Sequence, residues 1–342
     1  MNESLVALLI GSGVVIAFIF FFYPRKGFLA RLRKVRQDTN RVNIEDALKH
    51  LYDCEYNNNS SNLDSISGSL SISKDDAAKV IQHLTSMGLI EGSVDNIRLN
   101  SEGRSYALRV IRIHRLWERY LADETSVHET EWHERAEEVE HRMSLDEANE
   151  LAAQIGNPLV DPHGDPIPDA NGSIREKQEV SITYLKEGDI ARITHLEDEP
   201  KTIYAQLVAE GLYVGQQVRI NKVSQERITF EANGELIILA PIFAANISVE
   251  RLPDTKLVVE SSKKLSDLKI GESGKVIAIS KAIRGQQRRR LLDLGIVPGT
   301  RIKAEIESLG GDPTGYRVKG ATIAIRKNQA SQVFIKNIET GK

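Results

Sequence analysis

The stretch HERAEEVEHRM, residues 133–143, decides how this chain is read. His133, Glu137 and His141 recur at i, i+4 and i+8, with Glu140 on the adjacent row. Residues three and four apart share a helix face, so these groups form one stripe. Upstream, IHRLWERYL (113–121) places His114 and Glu118 four apart on another helical segment. Two such stripes facing each other can surround divalent cations. Imidazole with carboxylate suits manganese, iron(II), cobalt or zinc, and the lack of thiolates argues against a closed structural zinc site. A solvated acidic face is the competing reading, since Glu118–Glu150 holds twelve acids against three Arg and no Lys. The flanking Trp117, Leu121, Trp132, Val139 and Met143 would bury both helices and favour ligands.

Outward from the stripes, helices are expected over Arg104 to about Ala122, Glu131 to Met143 and Leu145 to Ile155. PLVDPHGDPIP (158–168) then concentrates four of the ten prolines in a loop, where His163 reads as a turn or dimer-contact residue. Before the stripes, IEDALKHLY (44–52) reads as an amphipathic helix ended by NNNSSN. A short helix at Leu63–Leu70, a second ending at Met87 before Gly88, and a hairpin over Leu89–Leu99 follow. That is the order of a winged helix-turn-helix, whose second helix reads the DNA major groove.

The C-terminal half repeats itself. LKEGDIARI at 185 and LKIGESGKV at 268 correspond, as do GLYVGQQV at 211 and GIVPGTRI at 295. Alternating apolar residues and glycine turns, ITFEANGELIIL (228–239) and YRVKGATIAIR (316–326), predict two small β-barrels from one duplicated fold. Arg284, Arg288, Arg289 and Arg290 form a basic patch, read as a solvated face or a contact for an acidic partner or lipid surface.

The 342 residues suffice for several domains, and 27% charged with 41% hydrophobic is an ordinary globular balance. One cysteine, Cys54, excludes an internal disulfide and fits a reducing compartment. Ser4–Pro24 carries no charge and is long enough for a transmembrane helix. A cleaved signal peptide fits less well, because the positive charges follow the apolar run. Arg25, Lys26, Arg31, Arg33, Lys34, Arg36 and Arg41 against Asp38 place the remainder in the cytoplasm by the positive-inside rule.

Several ordered segments, IEDALKHLYD, LTSMGLIE, LNSEGRSYALRVIRIHRLWERYL, HERAEEVEHRMS and DPHGDPIP, resemble the DtxR/MntR family of metal-dependent transcriptional repressors across residues 42–172. Residues 183–252 and, through RRRLLDLGIVPGT and GGDP, residues 263–337 resemble SH3-like FeoA-type domains. With the apolar run read as a transmembrane helix (1–24) and the basic stretch as a tether (25–41), the resemblance implies a multidomain α+β chain continuing as a winged helix-turn-helix (42–105), a helical metal-binding and dimerisation domain (106–172), and two SH3-like β-barrels.

It also implies roles. Asp46, Glu137, Glu140 and His141 correspond to the primary metal site, and His114, Glu118 and His133 to a neighbouring one. Ser73, Lys74, Lys79 and Gln82 would meet DNA, although Asp75 and Asp76 oppose phosphate approach. Glu137 and Asp46 stand where iron-type members have cysteine and methionine, hardening the set toward Mn2+ or Fe2+. Lys49 replaces an acid of the manganese branch. The ligands that the SH3-like domain donates in some members fall near Pro200 and Ile203, with Glu199 as a substitute.

Two functions follow from the resemblance. One is a membrane-tethered, Mn2+- or Fe2+-dependent repressor of metal-uptake genes, acting as a homodimer on an operator from a single-pass inner-membrane position. The other is a membrane-held metal-sensing adaptor acting on a ferrous-iron transporter through the FeoA-like domains. An enzyme is disfavoured. Glu138-x-x-His141 lacks a second half, HERAE lacks the second zinc-protease histidine, and neither a phosphate loop nor a nucleophile elbow occurs.

Overall fold

The computed structural model describes residues 28–93, 95–175, 179–253 and 263–340. The chain divides between Ile111 and Arg112 into two compact units.

The first unit holds α1 (Phe28–Tyr56), α2 (Leu63–Ser69), α3 (Lys74–Ser86) and a hairpin of β1 (Ile90–Ser93) and β2 (Asn96–Leu99). Asn62 and Ser65 close a capping box at α2, and Ser73 caps α3 by accepting from the Asp76 amide, the geometry that satisfies otherwise orphaned donors. Leu48, Leu51, Ile66, Ala77 and Leu84 are fully buried beneath the hairpin's Ile97 and Leu99. Each large apolar side chain stabilises this core by roughly 1.5–3 kcal/mol. Helix α1 includes Phe28 to Tyr56, well upstream of Ile44, because no glycine or proline interrupts residues 28–56. Helix α4 (Ser101–Glu124) opens with Gly103, whose absent side chain lets the Leu89 carbonyl approach within 2.0 Å of the Cβ position.

The second unit contains the remainder of α4, then α5 (Trp132–Glu140) and α6 (Leu145–Gln154). Ile113 and Leu116 pack on Ala148, Leu151, Ala152 and Ile167, while Leu121 and Ala122 pack on Trp132. Next come β3 (Val180–Ser181), β4 (Ile190–Leu196), α7 (Lys201–Ala209), β5 (Gln217–Val223), β6 (Ile228–Ala232), β7 (Glu235–Leu239), α8 (Pro241–Ala244) and β8 (Ile247–Leu252). The same succession recurs as β9 (Lys263–Lys264), β10 (Glu272–Ile279), α9 (Gly285–Asp293), β11 (Arg301–Glu307), β12 (Thr314–Val318), β13 (Ala321–Ile325), α10 (Lys327–Ala330) and β14 (Val333–Thr340). The strand orders, β3-β8-β4-β5-β6-β7 and β9-β14-β10-β11-β12-β13, are the same permutation. This matches the internal repeat seen in the sequence.

One expectation about fold class needs correction. Both β domains are open six-stranded antiparallel sheets, not closed barrels, because among the described residues the outermost strands do not pair with each other. Bulges near His195 and Lys222 interrupt the ladders of the first sheet, and Tyr204 and Leu207 of α7 pack into its apolar core. A helix thus covers the apolar core that edge-to-edge closure would otherwise seal. Among the described residues no helix is long and apolar enough to cross a membrane. The apolar run at residues 4–24, read above as a transmembrane helix, lies outside the described residues.

Candidate metal centre

Within the second unit, α4 presents His114 and Glu118 one turn apart, 6% and 1% exposed. Helix α5 brings His133 alongside: Trp132 is buried next to it, and the indole Nε1 donates to the Val127 carbonyl at 3.1 Å. His114 Nε2 lies 3.1 Å from Glu118 Oε1, and His133 Nδ1 lies 3.5 Å from the same oxygen. The two stripes therefore converge on one carboxylate.

Two groups that the helical spacing could not announce complete the cluster. Asp198, from the loop after β4, places Oδ2 3.2 Å from His133 Nδ1. His163 is 2% exposed, and its Nε2 lies 3.8 Å from both Glu118 Oε1 and Asp198 Oδ2. Sequence reasoning missed Asp198 by looking two residues later, at Pro200. His163 reads in the sequence as a turn or dimer-contact residue. A signal was available in each case: an acid pair directly ahead of Pro200, and a histidine inside a loop tight enough to be buried. Glu199, foreseen as a substitute, does reach His133, with Oε1 3.2 Å from Nε2.

The proline-rich loop is held by its own acid. Asp161 Oδ1 accepts from the backbone amides of His163, Gly164 and Asp165 at 2.8–2.9 Å. The Leu196 amide donates to the His163 carbonyl at 3.0 Å, fixing the loop to β4. Burial, with the charges of Asp165 and Glu118 nearby, pushes the Asp161 carboxyl up to about 7.

Electrostatically the cluster favours positive charge. Burial pushes Glu118 upward, but the charge of His114 and the close approach of the His114 and His133 imidazoles outweigh it, so its carboxyl ends well below the usual range. Burial likewise opposes charge on His133, yet Asp198, Glu118, Glu137 and Glu199 together raise its pKa. Glu118 Oε1, His133 Nδ1 and both nitrogens of His163 are sealed from solvent without a hydrogen-bond partner. Leaving buried polar atoms unpaired costs about 1–3 kcal/mol apiece. A divalent cation would satisfy several at once, and three imidazoles with two carboxylates form an ordinary transition-metal donor set.

The remaining foreseen ligands are distributed as follows. Glu137 is half exposed, its Oε1 3.4 Å from His133 Nε2. Glu140 is buried and bonds His114 Nδ1 at 2.5 Å through Oε2, while its Oε1 lies 3.3 Å from His141 Nε2. Glu140 thereby orients His114, leaving Nε2 for a cation, the arrangement by which outer carboxylates fix metal-binding imidazoles. His141 ends α5 as its C-terminal cap, so that helix is shorter than expected. Asp46 is half-buried on α1 in the first unit.

On α3, Ser73, Lys74, Lys79 and Gln82 are all exposed. Lys79 pairs with Asp76 at 2.7 Å and Lys74 with Asp64 at 2.8 Å. Exposed pairs of this kind are worth about 0–1 kcal/mol, so both lysines can exchange partners.

Residues 100–169 match the iron-dependent repressor metal-binding and dimerisation domain, and residues 180–251 and 263–337 match the FeoA domain. The chain carries a DtxR/MntR-type repressor domain and FeoA-type domains. It is 35% identical over 88 residues to a probable metal transport system membrane protein of Chlamydia pneumoniae, which covers 26% of this chain and 20% of that protein. It is 30% identical over 161 residues to the iron-dependent repressor IdeR of Mycobacterium leprae, covering 43% of this chain and 65% of that one. The chain thus spans less than two-thirds of either curated relative. Among solved structures, a manganese-dependent transcriptional repressor in complex with manganese superposes with a TM-score of 0.56 at 26% identity, covering 61% of this chain and 99% of that one.

Proposed function

We propose that this protein is a metal-dependent transcriptional repressor of the DtxR/MntR type, a regulator and not an enzyme, that binds an operator as a homodimer and controls metal-ion uptake. The observation that carries this is the convergence of His114, Glu118, His133, His163 and Asp198 in one buried cluster, where Glu118 Oε1, His133 Nδ1 and both His163 nitrogens are sealed from solvent without a hydrogen-bond partner. The likeness to a manganese-bound repressor supports the same reading. The resemblance adds Asp46, Glu137, Glu140 and His141 as a primary ligand set. The largely nitrogen and oxygen donors favour Mn2+ or Fe2+ by hardness, with availability in the cell deciding between them.

The metal acts by differential affinity. Crowded carboxylates repel one another without a cation, so metal stabilises the state that brings them together. The test is binding of DNA fragments selected by the full chain, with and without Mn2+ at fixed salt. At the reading helix, Lys79→Ala should weaken binding evenly across sequences and lower the salt slope by about 1. An unchanged slope would remove Lys79 from the phosphate contacts.

Metal affinity should also depend on pH. Because its carboxylate neighbours hold a proton on His133 above the usual imidazole value, a cation must displace that proton. Affinity therefore rises with pH between 6 and 8, by up to about tenfold per unit for one proton released. Calorimetry in buffers of different ionisation enthalpy measures the proton count, and zero released protons would contradict the protonated state of His133.

A second reading is a membrane-held adaptor acting on a ferrous-iron transporter. Two FeoA-type domains and the short likeness to a metal-transport membrane protein favour it. Membrane attachment through the apolar run at residues 4–24 would serve either function. Recovery of a transporter with the protein after deletion of residues 42–100 would support the adaptor, and loss of recovery would count against it.

A further inference from the structure

We propose that the second FeoA-type domain is a docked regulator of the buried metal cluster, with Arg284 as the residue that positions it. In the sequence Arg284 reads as part of a basic patch, a solvated face or a contact for an acidic partner or lipid surface, but its Nη1 is sealed from solvent and has no hydrogen-bond partner. Its guanidinium sits 5.8 Å from the Trp132 ring centroid, and its Nη2 donates to the Pro162 carbonyl at 3.4 Å. Trp132 directly precedes His133, and Pro162 directly precedes His163. One side chain from the second β domain therefore holds the residues that flank two of the three imidazoles.

The rest of the contact is close and specific. Gly285 has φ of +53°, and a Cβ there would stand 2.2 Å from the Thr125 carbonyl oxygen, so only glycine allows the two backbones to meet. Gln286 Oε1 accepts from Ser126 Oγ at 2.7 Å, and Arg289 pairs with Glu124. Between Arg284, Trp132, His163 and Tyr204 the remaining cavity is about 10 Å³, room for no more than one water. His163 packs edge-on against Tyr204 with ring centroids 4.9 Å apart. A shift of Arg284 would therefore be felt at His163, since a filled interior has no slack to absorb it.

Coupling of this kind is reciprocal. Docking of the second β domain pre-forms the cluster, and a cation in the cluster tightens the docking. The inference rests on the cluster being a metal site.

The test uses the full chain, with Co2+ as the probe and the cobalt band that Glu118→Gln removes as the signal. Arg284→Met should weaken Co2+ binding at least fivefold and change the visible band. Arg289→Glu, a surface change that keeps the fold if Arg284→Met does not, should loosen docking and weaken Co2+ in the same direction. Adding Glu124→Arg should restore both. In the wild type, Co2+ should slow hydrogen exchange at residues 282–290. Unchanged exchange there on adding Co2+ overturns the coupling, as do variants whose faster exchange leaves Co2+ affinity within twofold of wild type. Absence of any cobalt band in the wild type sinks the metal reading itself, and the coupling with it.

Discussion

Replacing Glu118 with glutamine will lower the affinity of the buried cluster for Co2+ or Mn2+ by at least about 100-fold, since even outer partners of metal ligands are worth 10–100-fold. Glu118 Oε1 is the point on which three imidazoles converge, at 3.1 Å from His114, 3.5 Å from His133 and 3.8 Å from His163. Glutamine preserves the shape but removes the charge and offers amide protons in place of one acceptor. The site would then keep only Asp198 of its two carboxylates to balance a cation in a buried setting, where an uncompensated charge costs several kcal/mol. Metal titration, with circular dichroism to confirm the fold, measures the effect. An affinity within threefold of wild type would mean that the cation binds elsewhere.

Gly164→Ala will cost about 3–5 kcal/mol, in the range reached only by severe backbone or core disruption, and will take the metal affinity with it. Gly164 has φ of +101°, which L-residues rarely adopt, and a Cβ would lie 1.9 Å from the Thr194 carbonyl oxygen. Both sides of that clash are backbone, so no side chain can rotate away. The loop must leave β4, breaking the bond from the Leu196 amide to the His163 carbonyl and withdrawing His163 from Glu118. The urea midpoint of the transition that metal shifts will fall, and the metal-induced shift will shrink. A loss below about 1 kcal/mol with unchanged metal binding would show that the loop has another seat available.

What the sequence made legible followed from periodicity. The i, i+4 spacing of His114 and Glu118, and of His133 and Glu137, marked ligand stripes because a helix fixes those neighbours locally. Duplicated glycine turns and alternating strands revealed two copies of one fold, and the structure gives both copies the same strand order. Whether the outer strands meet was not written in that alternation. Closure depends on how far bulges bend the sheet and on whether a helix covers the core, and α7 does so through Tyr204 and Leu207.

His163, Asp198 and Arg284 were misjudged or missed for another reason. Each acts across a long stretch of chain: His163 reaches Glu118 from a loop, Asp198 meets His133 from the first β domain, and Arg284 reaches Pro162 from the second. No spacing rule encodes such contacts. In isolation a proline-loop histidine or an arginine in a basic run is more often solvated, and here packing overrides that tendency.

The most direct test of the central claim is the affinity of the purified full chain for its selected DNA with Mn2+ and with chelator, at one salt concentration. Metal switching predicts binding at least about tenfold tighter with Mn2+, roughly 1.4 kcal/mol of coupling, and loss of that difference in Glu118→Gln. Equal affinity with and without metal would contradict it.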